Sequence, residues 1–199
     1  MDRSVGHTPV TTRGRCLPDG VRSPKRSVPA IRYGVTMRCE LRRIPGEASL
    51  ADAHAVRRAV FIDEQGVSEA EEMDGRDEAA THIVAYADPD DNREHTDPDS
   101  ATGHDGTDLQ PVGTARLRLT DDGVAKPERV AVLEPYRSEG VGRQLMAAIE
   151  REARDQGCTR ARLHGQTAVE TFYHDLGYET TSDVFLEADI PHVEMEKQL

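Results

Sequence analysis

Tryptophan is absent from this 199-residue chain, and only 4% of its residues are aromatic. A binding groove built on base stacking is therefore unsupported. Lysine is scarce too, with Lys25, Lys126 and Lys197 the whole complement. Acidic residues number 37 against 25 Lys and Arg, for a formal net charge of -12. That sign excludes nonspecific attraction to nucleic acid or to an anionic membrane. No apolar run approaches the ~20 residues of a transmembrane helix, and none forms a signal-peptide core. The cysteines Cys16, Cys39 and Cys158 are odd in number and lack paired spacing. Neither a disulfide framework nor a metal site is indicated, and a reducing cytoplasm is the expected setting. The length suits one domain with a substantial core.

The charge is unevenly spread. Residues 1–36 hold seven basic side chains, two acidic ones, four prolines and four glycines, with almost no apolar periodicity. Their net +5 leaves -17 on the remainder. This segment is expected to be disordered, either as a basic tail with a partner or as sequence upstream of a true start at Met37. The ordered domain is expected at 37–199. Its carboxylate excess, few lysines and few aromatics read as a halophilic surface, kept hydrated at high salt.

Within 37–199, a strand is expected at 38–43. Ser49, with Asp52 three residues on, resembles an N-cap for a helix whose apolar stripe runs through Phe61. An acidic loop follows at 69–78, then a strand at 82–87. Residues 88–111 read as a polar insertion with eight acidic side chains. His82, His95 and His104 there match no metal-ligand spacing. Residues 112–120 alternate as a strand with one covered face, Arg116 and Arg118 pointing away from it. Strands at 129–133 and 160–164 alternate with helices ending near Gln156 and Leu176. Less regular strands are expected at 180–186 and 192–196. The pattern predicts an α+β class with a mixed sheet.

The strongest signal lies between the 129–133 strand and the helix after it. Val141, Leu145, Ile149 and Ala153 have helical spacing. The preceding Arg137-Ser138-Glu139-Gly140 therefore forms a turn at a helix N-terminus. Unpaired amides and the helix dipole favour an anion there. Gly140 and Gly142 remove side chains that would hold a diphosphate off, and Arg137 and Arg143 can bond its oxygens. The spacing fits neither a Walker loop nor a dinucleotide fingerprint.

The whole segment Val130-Ala131-Val132-Leu133-Glu134-Pro135-Tyr136-Arg137-Ser138-Glu139-Gly140-Val141-Gly142 resembles motif A of the GCN5-related N-acetyltransferases, the GNAT superfamily. A second stretch, from Gln166 through Tyr173 to Gly177-Tyr178, is similar to motif B. Val60-Phe61-Ile62-Asp63-Glu64-Gln65, Asp74, Asp77, His82 and the run from Ala188 to Met195 are similar to the ElaA and YjcF branch. Ala168 departs from a histidine frequent in that branch.

The resemblance implies a mostly antiparallel sheet splayed at the motif A strand, and an acyltransferase using acetyl-CoA as co-substrate. Val130, Ala131, Val132, Arg137, Ser138, Glu139, Gly140, Val141, Gly142, Arg143, Gln166 and Tyr173 are then expected to hold the cofactor. The Val132 amide would hold the thioester carbonyl, with a β-bulge there opening the strand. Tyr173 takes the place of the general acid, suited by an ordinary pKa of ~10. Glu64, Glu128 and His192 are the candidate bases, while His164 and His174 read as surface or packing residues. The acceptor is expected to be a small-molecule amine or a peptide, with direct transfer in a ternary complex and a homodimer as the family's mild expectation. A noncatalytic acyl-CoA-binding module is the alternative.

Overall fold

Runs of small and β-branched residues supply the sheet, and one amphipathic helix covers its centre. The computed structural model describes residues 37, 39–46, 48–89, 109–120 and 122–199, all within the unit Gly34–Leu199. Residues 1–36 and most of the expected insertion, with His95 and His104, lie outside the described residues. Gln110 and Pro111, read as insertion, already belong to a strand.

Among the described residues eight strands form one sheet: β1 (Glu40–Pro45), β2 (Thr81–Ala87), β3 (Gln110–Leu119), β4 (Ala125–Val132), β5 (Arg160–Gln166), β6 (Glu179–Thr180), β7 (Phe185–Glu187) and β8 (Ile190–Gln198). Their order is β1-β2-β3-β4-β5-β8-β6, with β7 also on β8. Every pairing is antiparallel except that of β4 with β5. The mixed, mostly antiparallel α+β architecture is therefore the one read from the sequence. The uncertain strand at 180–186 is instead two short strands. A tight turn at Ala188 and Asp189, with φ of 51° and 59°, leads from β7 into β8.

Helix α1 (Ala51–Arg57) runs on as a π-helical segment, Arg58–Glu64. Ser49 does not cap it, since Leu50 is the boundary residue and no side chain caps the end. The acidic stretch from 69 contains helix α2 (Glu69–Glu72), closed by a Ser68–Glu71 capping box. The S-x-x-E spacing of Ser68 and Glu71 is a capping-box signature, so this stretch is a short helix rather than the expected loop. A 3-10 turn (Glu134–Tyr136) precedes α3 (Val141–Asp155); another (Thr167–Val169) precedes α4 (Glu170–His174).

Helix α3 buries Val141, Leu145, Ile149 and Ala153 against β3 and its neighbours. Fully burying a leucine such as Leu145 contributes roughly 1.5–3 kcal/mol. Strand β3 is covered on both faces, contrary to the one-sided reading. Gly113 lies under Leu145 and Val141, while Thr114 and Arg116 are also buried on the opposite face, where α1 packs. Period-two alternation tells which residues share a face, but not whether a later element covers the other one.

Candidate active site

Strand β4 begins at Ala125, four residues earlier than expected, because a lysine, a proline and a glutamate mask it. Pro127, without an N–H to give, is tolerated where the strand loses a neighbour. That loss is the central feature. Strands β4 and β5 are matched only at Ala125 and Ala161, and diverge beyond that pair. The β-bulge lies at Arg129–Val130, opposite Ala115, rather than at Val132. Arg129 there adopts a left-handed φ of 52°, with the local twist a bulge brings.

The divergence opens a cleft of about 580 Å³, within the range of small-molecule sites. Its floor includes Val130, Ala131 and Val132 of β4. One end is the turn before α3, where Arg137, Ser138, Gly140, Gly142 and Arg143 line the opening. Ser138 and Gly140 have left-handed φ values of 67° and 81°. A glycine meets that backbone demand at position 140 without strain. The first amides of α3 have no partner within the helix, and Gln144 makes the first closing bond, to the Gly140 carbonyl.

Several expected residues behave otherwise than foreseen. Glu139 and Val141 do not line the cleft: Val141 is in the core, and the Glu139 carbonyl accepts the Met37 N–H at 3.1 Å. A Cβ on Gly142 would sit 3.3 Å from the Phe172 ring, so this glycine also serves helix packing. Arg137 donates to the Val132 carbonyl at 2.9 Å and forms a two-pronged pair with Glu64 at 2.8 and 2.5 Å. Glu64 lies outside the cleft lining, and Arg137 holds its carboxyl below the usual range. It is a weak candidate for a base.

Next to Glu64, Gln65 accepts a hydrogen bond from Gln166 at 2.9 Å. The end of the π-helical segment thus grips the loop after β4 through Glu64 and the end of β5 through Gln65. Both separated strands are tied from one side.

Tyr173 lies on the opposite side of the opening, 7% exposed, its ring set edge-on to Phe172 and Tyr178. Burial pushes its hydroxyl up to about 12, and it makes no hydrogen bond to another described residue. It remains a proton donor at neutral pH. His192 lines the cleft and its Nδ1 lies 2.8 Å from the Ile190 carbonyl. A carbonyl can only accept, so Nδ1 carries hydrogen and the neutral ring keeps its lone pair on Nε2. Glu128 also lines the cleft, but Arg116, Arg118 and Lys126 hold its carboxylate at 2.8, 2.9 and 3.2 Å. Burial opposes its charge, and those cations more than offset it, so its pKa is lowered.

Sequence reasoning gave no site role to the wall residues Lys126, His164 and Glu187. The stretch 69–78 reads in sequence only as an acidic loop, whereas Glu72, Asp74 and Asp77 hold an internal ion network. Arg57 and Arg116, 0% and 1% exposed, bind Glu72 at 2.5 Å, Asp74 at 2.8 Å and Asp77 at 2.8 Å. Arg129 at the bulge donates to the Glu71 carbonyl at 2.9 Å, tying the bent strand to this network. A hydrogen bond from Arg116 holds Asp74 well below the usual carboxylate range. Burial pulls Asp77 the other way, yet bonds from Arg116, Arg57 and His54 hold it low as well. Burial also depresses His82, whose Nδ1 has no hydrogen-bond partner among the described residues. Among the described residues no group of three His, Cys, Asp or Glu side chains could hold a metal ion. Neither Cys39 nor Cys158 lines the cleft. No helix among them is long and apolar enough to cross a membrane.

A sheet parted between two parallel strands, with a helix N-terminus at one end and a buried phenol beside it, defines an acyltransferase cleft. Residues 61–199 match the family model described as an acetyltransferase (GNAT) domain, and the chain belongs to that family. It is 40% identical over 162 residues to the uncharacterized protein YyaT of Bacillus subtilis, covering 80% of this chain and 95% of that one. The uncharacterized N-acetyltransferase YjcF of the same organism is 39% identical over 152 residues, covering 76% and 94%. The crystal structure of Escherichia coli ElaA superposes with a TM-score of 0.64 at 25% identity, covering 81% of this chain and all of that one. These likenesses place the chain in the ElaA and YjcF-like branch.

Proposed function

We propose that this acyltransferase moves the acetyl group of acetyl-CoA directly onto a primary amine, both bound at once in the cleft between β4 and β5. The parting of the strands beyond Ala125 and Ala161, with Tyr173 buried beside it, is the observation that carries the reading. The diphosphate would lie on the amides that open α3, with Arg143 and Arg137 beside it. Gln166 and the backbone of Val130–Val132 would flank the pantetheine arm, and the Val132 amide would hold the thioester carbonyl.

The chemistry then divides between two sides. An amine attacks only when neutral, so an ammonium acceptor first gives a proton to the open Nε2 of His192. The C–N bond forms as the carbonyl becomes an oxyanion held by main-chain N–H. On collapse the C–S bond breaks, and Tyr173 protonates the departing thiolate. The second nitrogen proton passes through solvent to restore the phenol. One acetamide and one thiol form, and the His192 proton is released. Among the described residues no cysteine lines the cleft wall, which favours direct transfer over an acetyl-cysteine intermediate.

Acetyl-CoA must approach a protein of its own sign. At molar salt the Debye length is ~3 Å, so long-range repulsion is screened while contacts within the turn survive. We expect affinity for acetyl-CoA to rise from low to molar KCl, the behaviour of a halophilic cytoplasmic enzyme. The test of function is free-thiol release from acetyl-CoA across amines, polyamines, amino acids and peptides at molar KCl. Amine-dependent thiol release supports the proposal; CoA binding with no turnover on any amine would overturn it.

A further inference from the structure

The wall of the cleft opposite the diphosphate turn has no role in the reading above apart from His192. We infer that Glu187, with the ring group around it, is the anchor for the acceptor's ammonium ion, and that the acceptor class is an alkylamine carrying no carboxylate near its nitrogen. This rests on the acetyltransferase reading of the same cleft.

The register fixes which side chains meet there. Arg116 faces α1, and its pairing with Glu128 puts that carboxylate on the α1 side of the sheet. Ala161 pairs with Ala125, on the other face, so alternation brings His164 and Gln166 to the α1 side. His192 lies opposite Gln166 and Glu194 opposite His164, so they share that side. Strand β7 pairs antiparallel with β8 in the sheet, with Phe185 opposite His192. The Phe185 ring stands edge-on to His164 at 5.0 Å and is stacked with His192 at 6.2 Å between centroids. Glu187, two residues on, shares the Phe185 face of β7.

Glu187 is shaped as an acceptor of N–H. His164 Nδ1 lies 2.7 Å from its Oε2, and that hydrogen bond holds the Glu187 carboxyl below its usual range against the opposing effect of burial. Its Oε1 makes no hydrogen bond to another described residue. The other carboxylate of the wall, Glu128, is already held by Arg116, Arg118 and Lys126. Lys126 is thus committed to Glu128, and Glu187 offers the uncommitted oxygen. A carboxylate with an uncommitted oxygen, on the wall that His164 and His192 also line, makes a site for an ammonium ion. The turn that presents it is the two-residue hairpin loop Ala188-Asp189, whose positive φ values are those that a tight β7–β8 hairpin requires. An ammonium held at Oε1 has a proton to give to His192 Nε2 on the same wall. A second carboxylate, as in an amino acid, would face Glu187 with like charge.

The test pairs n-propylamine with β-alanine, equal in chain length but for the carboxylate, on the full chain at molar KCl. Thiol release from the wild type should favour n-propylamine. Glu187→Gln keeps the shape and should raise KM for n-propylamine about tenfold or more, with a smaller effect on kcat and none on KM for acetyl-CoA. A second readout needs no turnover: n-propylamine should shift the imidazole resonances of His164 and His192 in the wild type and not in Glu187→Gln. Unchanged KM, or ring shifts that persist in the variant, would overturn the anchor while leaving the acetyltransferase reading intact. Turnover that favours β-alanine would overturn the acceptor class. Thiol release with no amine at all would remove the reading on which both rest.

Discussion

The two ends of the cleft are built in opposite ways. The end before α3 comes from one contiguous run, Arg137 to Arg143, and presents backbone and two arginines. The wall that faces α1 draws on Lys126 and Glu128, His164 and Gln166, Glu187 and His192, from four strands far apart in sequence. One end suits a ligand part that never varies, since any diphosphate meets the same amides. The other is assembled from side chains, each replaceable without disturbing the backbone. The bulged strand between them is held from behind by Arg57, Arg116 and their carboxylates.

The largest expected effect falls on the contiguous end. Gly140→Glu forces a side chain into a left-handed φ of 81° and sets a carboxylate beside the diphosphate. Affinity for CoA, followed by calorimetry, should fall by about a hundredfold or more, from strain and like charge together. Tyr173→Phe is next: kcat should fall by roughly a hundredfold while CoA affinity holds. Equal turnover would leave the buried phenol as packing only.

The network behind the bulge yields the third prediction. Arg116→Met leaves Asp74, Asp77 and Glu128 short of their main cation and should cost roughly 3–5 kcal/mol of stability in denaturant unfolding. The pH dependence has a definite sign. Asp74 and Asp77 have depressed pKa values in the fold, so their contribution is complete above 3.8 and is lost as pH falls below it. His82 is depressed below 6.5, so its proton is taken up first by the unfolded chain and stability already declines as pH drops under 6.5. Unfolding midpoints at fixed KCl from pH 8 to 3 should therefore fall in two steps, and His82→Gln should flatten the upper one.

The smallest effect is at the tie across the cleft. Glu64→Gln releases Arg137 for the diphosphate, and an exposed pair is worth at most about 1 kcal/mol. Affinity for CoA should rise by no more than about fivefold. A loss would mean that Glu64 positions Arg137 rather than competing for it.

The same contrast explains what could be read in advance. The turn at 137–143 and the α3 stripe were legible because each is a local pattern, and the family likeness carried Tyr173, Gln166 and His192. The Glu187 wall was not, since β7 is three residues long and reaches the site only through its pairing with β8. Glu72, Asp74 and Asp77 looked like solvated acid because their partners arrive from 15 to 42 residues away. Arg116 looked outward for a related reason, as alternation cannot reveal that α1 covers the second face. The opening of the strands was foreseen, but its bulge lies at Arg129–Val130, where a left-handed arginine gives no sequence signal.

The central claim is that the turn before α3 receives the diphosphate of CoA. Amide chemical shifts followed while CoA and then pantetheine are titrated into the protein test it most directly. CoA should move the amides of Ser138 through Arg143 most strongly, and pantetheine, which lacks the diphosphate, should leave them in place. Equal shifts from both ligands, or none in that turn with CoA bound, would contradict it.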